Sequence, residues 1–78
     1  MTSRGTTRNG KYDKAIGQRI RAAREAGNVS QATLAAKMRV TWQQVQKYEN
    51  GTNAVPSTRV QDLCKALRIT ANDLFGMS

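Results

Sequence analysis

Residues 41–51, TWQQVQKYENG, form a short segment with the start and stop signals of a helix. Thr41 is a favourable N-cap residue, and Gln44 follows it three positions later, as in a capping box. Gly51 offers the left-handed conformation in which many helices end. The segment therefore predicts a helix that begins at Trp42 and ends at Gly51.

The two sides of this predicted helix differ in chemistry. At about 100° per residue, Val45, Tyr48 and Glu49 fall on one side. Four polar residues fall on the other side, and no acid is among them: Gln43, Gln46, Lys47 and Asn50. Amide side chains donate and accept together and suit the edge of adenine, whereas lysine suits guanine or phosphate. A polar face is also ordinary on an exposed helix, and glutamine is a good helix former. This face alone therefore does not distinguish a base-contacting surface from an ordinary solvent-exposed one, and the rest of the chain has to be considered.

Upstream of this segment, the spacing of apolar residues predicts two further helices. The first covers roughly residues 13–26, stops at Gly27 and Asn28, and has apolar positions three and four residues apart: Ile16, Ile20 and Ala23. The second covers roughly residues 31–38, is capped by Ser30, and has one apolar stripe: Leu34, Ala35 and Met38. The second and third helices are then joined by a turn of about three residues, as in a helix-turn-helix unit.

Downstream, the pattern predicts a fourth helix and a short fifth one. Ser57 is expected to cap the fourth helix after the loop at Pro56, and four residues give it a buried face: Val60, Leu63, Cys64 and Leu67. Thr70 and Asp73 have the spacing of a capping box for the last helix, which carries Leu74 and Phe75. With no strand pattern, the sequence predicts an all-α bundle of five short helices.

The chain carries a large positive charge for a single small domain. In 78 residues, thirteen Lys and Arg stand against five Asp and Glu, which gives a formal charge of +8. This excess favours a polyanion such as a phosphate backbone, although a basic surface without a specific partner is the plain alternative. No apolar run approaches the roughly 20 residues that span a bilayer, and no signal-peptide pattern is present. We expect a cytoplasmic, nucleoid-associated protein with no membrane partner.

The residue types needed for catalysis or metal binding are scarce. One cysteine and no histidine offer neither an internal disulfide nor a set of metal ligands. Cys64 is expected to be a core residue of the fourth helix. Five scattered acids, with Ser and Thr mostly at helix starts, offer nothing for acid–base or nucleophilic work. We expect no enzyme activity, no metal or cofactor, and no small-molecule substrate.

Residues 1–11, MTSRGTTRNGK, contain no aliphatic residue beyond Met1 and predict a flexible basic arm. The folded domain is then expected to cover residues 12–78. Through Arg4 and Arg8 the arm would follow a phosphate backbone or enter a minor groove; equally, it would be an uninvolved tail.

Several segments, all in register, resemble the Cro/C1-type (XRE) helix-turn-helix family of lambda repressor-like DNA-binding domains. They are SQATLA at 30–35, VTWQQV at 40–45, YENG at 48–51, the loop at Pro56, and LRIT at 67–70. The resemblance covers about residues 15–75. It implies that the third helix lies in the major groove of double-stranded DNA while the second crosses the backbone above it.

The resemblance also implies roles for individual residues. Four match base-contacting positions: Trp42, Gln43, Lys47 and, as an assisting neighbour, Gln46. Four match positions that contact the DNA backbone: Gln31, Asn50, Thr52 and Asn53. Arg39 is a fifth candidate for the backbone, because of its charge and not because of a match. Arg24 and Glu49 match a structural ion pair between the first and third helices, and an unpaired carboxylate on the packed side would be costly.

Two residues depart from the family pattern. Arg39 stands at a turn position where glycine is usual, so a left-handed backbone there stores about 1 kcal/mol of strain, while its charge can reach phosphate. Trp42 replaces a first base-contacting residue that is often polar. Its alternatives are an apolar contact with a thymine methyl group, packing within a dimer, or packing against its own domain.

The resemblance implies a sequence-specific transcriptional regulator, specifically a repressor, that binds a palindromic operator as a homodimer. The expected dimer patch is the loop and C-terminal region, including Leu74, Phe75 and Met77, unless Leu74 and Phe75 merely close the core. The alternative is a protein-interaction module of the same fold, such as the antitoxin of a toxin–antitoxin pair.

Overall fold

The computed structural model describes residues 10–76, and this part of the chain contains five α-helices and no strand. The helices are α1 (Gly10–Ala26), α2 (Gln31–Met38), α3 (Trp42–Asn50), α4 (Ser57–Leu67) and α5 (Ala71–Phe75). The predicted all-α architecture is therefore confirmed. Arg4, Arg8 and Met77 lie outside the described residues. Within residues 10–76, no helix combines the length and the apolar character that crossing a bilayer requires.

One fully buried aliphatic side chain from each helix meets in the core. These five have no exposed surface: Ile20, Leu34, Val45, Leu63 and Leu74. α1 packs against α3, α4 and α5, and α2 packs against α3 and α4. Cys64 is only partly buried and packs at the edge of this cluster, with its thiol free. The core thus forms where all five helices converge, and it holds α3 by one side only.

Three of the predicted helix starts are confirmed by their cap hydrogen bonds. The Ser30 hydroxyl accepts from the backbone N–H of Thr33 at 3.0 Å at the start of α2. The Thr41 hydroxyl accepts from the backbone N–H of Gln44 at 3.1 Å at the start of α3. A full capping box begins α5, in which the Thr70 and Asp73 side chains bond each other's backbone N–H. Each bond satisfies a donor that the helix itself leaves unpaired.

Two predicted helix starts are wrong. α1 begins at Gly10 rather than Asp13, so Gly10 and Lys11 belong to the helix instead of the arm. A first turn needs no apolar side chain, which is why periodicity missed it. Ser57 does not cap α4: Pro56 occupies the N-cap with φ −61° and ψ 147° and makes no side-chain bond. The fixed φ of proline already suits this position, so the helix begins one residue earlier than a serine cap would place it.

α1 and α3 meet backbone to backbone at two glycines. A Cβ atom added to Gly17 would lie 2.5 Å from the carbonyl oxygen of Tyr48 and closer still to that of Glu49. A Cβ added to Gly51 would lie 2.8 Å from Cα of Lys14, and Gly51 also has a left-handed φ of 78°. No larger residue fits either position without moving the helices apart. The approach fixes how far α3 stands from the body of the domain.

Candidate nucleic-acid interface

α3 presents one face to the core and the other to the surroundings. Val45, Tyr48 and Glu49 are buried. The exposed side chains of the opposite face are those the sequence pattern indicates: Gln43, Gln46, Lys47 and Asn50. Trp42, at the first position of α3, is 48% exposed. The helix therefore offers a row of hydrogen-bonding groups, one cation and one aromatic ring.

The buried carboxylate of Glu49 fixes α3 against α1. Glu49 is 7% exposed, and its Oε2 accepts from Arg24 Nε at 2.6 Å while its Oε1 accepts from Arg24 Nη2 at 3.2 Å. Arg24 Nη1 also donates to the carbonyl oxygen of Val29 at 2.9 Å. The hydrogen bond to Glu49 raises the pKa of Arg24 above its ordinary value, against an opposing effect of burial. Two-point contact fixes the orientation of α3 as well as its distance from α1.

Gln31 connects α2 to the same carboxylate. Its Nε2 donates to Glu49 Oε1 at 3.1 Å, so Glu49 receives bonds from both α1 and α2. Gln31 is the first residue of α2, where the unpaired backbone N–H groups of the helix favour an anion. The side chain thus braces α3 from a position suited to a phosphate.

The turn between α2 and α3 is fixed by two arginines. Arg39 is left-handed, with φ 61° and ψ 41°, and Val40 N–H donates to the carbonyl oxygen of Ala35 at 3.0 Å. Arg39 therefore carries the strain expected for a non-glycine residue here, and its side chain is exposed. Arg59 of α4 donates from Nη1 to the carbonyl oxygen of Met38 at 3.0 Å. This second contact has no sequence signal, because it joins residues 21 positions apart.

The loop after α3 is held close to the helix end. The backbone N–H groups of Thr52 and Asn53 both donate to the carbonyl oxygen of Lys47, at 2.9 and 3.2 Å. Both side chains are exposed, as is that of Asn50. The structure therefore brings these three polar residues together at the C-terminal end of the exposed face.

An open polar cavity of about 460 Å³ lies beside this face, between α1, the start of α2, and α3. Its lining includes Gln31, Gln46 and Asn50, together with two residues that the sequence did not assign to an interface: Arg21 and Ser30, which was predicted only as a helix cap. Arg21 lies three residues before Arg24 on α1, a helical spacing that would have indicated its proximity. We define the α3 surface by two sets of residues. They are the exposed residues of α3 (Trp42, Gln43, Gln46, Lys47 and Asn50) and the cavity residues beside them (Arg21, Ser30 and Gln31).

None of the five acids of the sequence lies on the exposed face of α3. Asp13 is buried in the first turn of α1. The other four make these contacts: Glu25 with Arg21 (3.1 Å), Asp62 with Arg59 (3.7 Å), Asp73 with the Thr70 backbone N–H (3.0 Å), and Glu49 with Arg24. The exposed side of α3 itself carries Lys47 and no acid. The α3 surface is thus electrostatically suited to an anionic partner.

The structure describes two of the three C-terminal residues that were expected in a dimer patch. Leu74 is completely buried in the core, so its assignment to a dimer patch is wrong, and the alternative that it closes the core holds. Phe75 is partly buried and packs against the core cluster. The expectation for Met77 falls outside the described residues.

The arrangement of α2, the turn at residues 39–41 and an exposed polar α3 defines a helix-turn-helix protein. The family model described as helix-turn-helix matches residues 20–74, most of the chain. This chain belongs to the Cro/C1-type (XRE) helix-turn-helix family of transcriptional regulators.

Two relatives illustrate the sequence similarity. An uncharacterized HTH-type transcriptional regulator of Sinorhizobium fredii, y4wC, is 49% identical over 63 residues, which cover 81% of this chain and 44% of that protein. An uncharacterized transcriptional regulator in the ATPase CF(0) region of Rhodospirillum rubrum is 41% identical over 63 residues, covering 81% and 58%. The chain spans about half the length of these relatives.

Two solved structures have a similar fold. The clp gene regulator ClgR of Corynebacterium glutamicum superposes with a TM-score of 0.77 at 27% identity, over 81% of this chain and 82% of that one. The restriction-modification controller protein C.AhdI of Aeromonas hydrophila gives a TM-score of 0.77 at 33% identity, over 81% of this chain and 96% of that one. This chain therefore has the lambda repressor-like fold of these regulators.

Proposed function

We propose that this protein is a sequence-specific transcriptional regulator, and specifically a repressor, that binds a palindromic double-stranded DNA operator as a homodimer. The observation that carries the proposal is the division of α3: its buried side is fixed by Glu49, and its exposed side holds hydrogen-bonding groups and no acid. An α-helix fits the major groove of DNA, where each base pair has a distinct pattern of donors and acceptors.

The proposed base contacts come from the exposed side of α3. Gln43 and Gln46 can each donate and accept in one plane, as the edge of adenine requires, and Lys47 can donate to guanine. Trp42 is the fourth base-contacting residue in this proposal. The relatives named as transcriptional regulators support a role in gene control, and occupancy of an operator would block polymerase without any chemical step.

The proposed backbone contacts surround this face. Gln31 and Arg39 border α3 on the side of α2, and three polar residues lie at its other end: Asn50, Thr52 and Asn53. Phosphate contacts of this kind fix the position of a protein on DNA, whereas base contacts determine the sequence that it prefers. Mutations of the backbone-contacting residues should therefore lower affinity for all duplexes, whereas mutations of the base-contacting residues should change the preferred sequence.

The proposed homodimer follows from the short stretch of DNA that a single α3 helix can contact. One recognition helix covers only a few base pairs, and two-fold dimers place two such helices on half-sites about one helical turn apart. Selection from a random duplex pool tests this point directly. We expect a palindromic consensus, and binding that weakens steeply as salt rises, because phosphate contacts release counterions. Absence of binding to any duplex at low salt would refute the proposed function.

A matched pair of arginines tests the proposed backbone contacts. Arg39 and Arg68 are both exposed and left-handed, with φ 61° and 59°, and each follows a helix end. Arg39→Gly and Arg68→Gly therefore remove the same charge and relieve the same strain, which should stabilise each variant by up to about 1 kcal/mol.

Only Arg39→Gly should weaken binding to the selected operator and to other duplexes alike, and it should lower the salt dependence. Gln43→Ala should instead relax the preference for one base pair in each half-site. Gel shifts with the operator and with single-base variants measure both effects. Equal losses of DNA affinity in Arg39→Gly and Arg68→Gly would show that the affinity depends on the net charge of the protein and not on the position of the arginine.

A further inference from the structure

Trp42 stands out on the α3 surface. Among the large apolar side chains of residues 13–76, it is the one that is clearly exposed, at 48%. Isolated apolar residues are common on protein surfaces, so exposure alone means little. Here, however, the ring stands at the first position of α3, at the border between the buried side and the exposed face, and the N-terminal residues of a helix in the major groove are those that contact base edges.

The helical geometry places Trp42 at the edge of the exposed face of α3, beside Gln46. At about 100° per residue, Trp42 and Gln46 lie about 40° apart and one turn along the helix, and Gln43 lies about 60° beyond Gln46. On its other side, Trp42 is about 20° from the direction of the buried Glu49. About half of the Trp42 surface is covered by the domain itself. A rigid ring that is already partly packed loses little conformational freedom when its remaining surface is covered by a ligand.

The chemistry of indole restricts what Trp42 can contact. Its nitrogen only donates, so it cannot form the paired donor and acceptor bonds that glutamine makes with adenine. The remainder of the ring is apolar. On the base edges of the major groove, the apolar group is the C5 methyl of thymine. The same methyl group stands at C5 of 5-methylcytosine.

We infer that Trp42 packs on the C5 methyl group of a pyrimidine in each half-site, so that operator affinity depends on this methyl group. The ligand class is DNA with a C5-methylated pyrimidine at one position, supplied either by thymine or by 5-methylcytosine. The inference rests on the proposed function, because it requires α3 to lie in the major groove. It further predicts that methylation of cytosine at this position strengthens binding.

The test uses uracil, which differs from thymine only by the methyl group. In the selected operator, each thymine of a half-site is replaced in turn by uracil, and the dissociation constant is measured. At one position we expect binding about three- to fivefold weaker, and roughly tenfold or more when both half-sites are changed. At that position, a cytosine duplex should also bind less tightly than the same duplex with 5-methylcytosine, which identifies the methyl group as the shared feature.

Two variants decide whether Trp42 is responsible. Trp42→Ala should bind the thymine and uracil duplexes equally, whereas Gln43→Ala should keep the uracil effect even though its own affinity is lower. Circular dichroism and thermal unfolding confirm that both variants are folded. Equal binding of thymine and uracil duplexes by the unmodified protein overturns the inference, as does a uracil effect that persists in Trp42→Ala.

The same measurements separate this inference from its alternatives. If the unmodified protein binds no duplex, the proposed function fails and the inference fails with it. If the protein binds its operator without any methyl effect, only the inference fails. If Trp42→Ala changes a dimer to a monomer in sedimentation and no methyl effect is found, Trp42 is a protein–protein contact, and the inference is again overturned.

Discussion

The two sides of α3 differ in what holds them in place. On the inner side, Glu49 receives three hydrogen bonds from Arg24 and Gln31, and Gly17 brings the α1 backbone against the end of the helix. On the outer side, Gln43 and its polar neighbours are exposed. The inner side therefore fixes the position of the helix, while the outer side is free to vary. Mutations on the two sides should separate stability from recognition.

The largest effect is expected from Glu49→Ala on the inner side. The change leaves the Arg24 guanidinium, whose side chain is 12% exposed, without its charged partner. Loss of one member of a buried pair should lower the free energy of unfolding by about 3–5 kcal/mol. Urea unfolding measures the loss.

Glu25→Ala is the matched control for Glu49→Ala. It removes the same charge from an exposed pair, in which Glu25 and Arg21 are 3.1 Å apart and more than half exposed. The free energy of unfolding should change by no more than about 0.5 kcal/mol. Similar losses in the free energy of unfolding for the two variants would mean that burial does not determine how strongly the Glu49–Arg24 pair stabilises the fold.

Gly17→Ala should have the second-largest effect. The added methyl group meets the carbonyl oxygens of Tyr48 and Glu49, which belong to the helix backbone and cannot rotate away. Overpacking of this kind should cost about 1–3 kcal/mol of stability. It should also lower DNA affinity indirectly, because α3 must move.

Gly27→Ala provides the comparison for Gly17→Ala. The nearest atoms to its added Cβ are 3.6 Å away, an ordinary contact distance. The substitution should therefore be neutral or slightly stabilising, because alanine restricts the unfolded chain. If thermal unfolding shows Gly17→Ala to be equally tolerated, the close contact of α1 with α3 is not a constraint on the fold.

Substitutions on the outer side should have little effect on stability. Gln43→Ala and Lys47→Ala remove exposed side chains, so each should change the free energy of unfolding by less than about 0.5 kcal/mol. Urea unfolding, run beside the operator titrations, checks this. A loss above about 1 kcal/mol would contradict the view that these side chains are free for recognition.

The smallest effect is expected from alkaline pH acting through Cys64. Burial, and secondarily Asp73, raises the pKa of the Cys64 thiol above its ordinary value of 9.0. Because the folded state prefers the neutral thiol, this contribution is complete below pH 9.0 and is lost as pH rises through the raised pKa. Thermal unfolding from pH 7 to 11 should show a decline above pH 9.0 that Cys64→Ala reduces. Identical pH profiles would exclude the thiol as its source.

The sequence was most informative where local chemistry determines structure. Ser30 and Thr41 predicted the starts of α2 and α3, and helical spacing separated the exposed Gln43 from the buried Val45. Such signals act within one or two turns, so they can be detected without knowledge of the tertiary fold. The family resemblance added the Arg24 and Glu49 pair, which the structure contains.

The features that the sequence did not predict depend on contacts between distant segments. The bond from Arg59 to the Met38 carbonyl and the approach of Gly17 to α3 arise only when helices pack. Leu74 was assigned to two possible roles, because an apolar residue near a chain end gives the same pattern in a core and in an interface. Its complete burial decides between them.

The convergence of one fully buried side chain from every helix has a consequence for dynamics. No helix can separate from the bundle without opening the shared centre, so local opening of α3 should be rare beside global unfolding. The backbone amides of Val45 and Tyr48 should then exchange with solvent deuterium only when the whole domain unfolds. A helix of nine residues, too short to persist alone, is in this way kept rigid by the cooperativity of the entire fold.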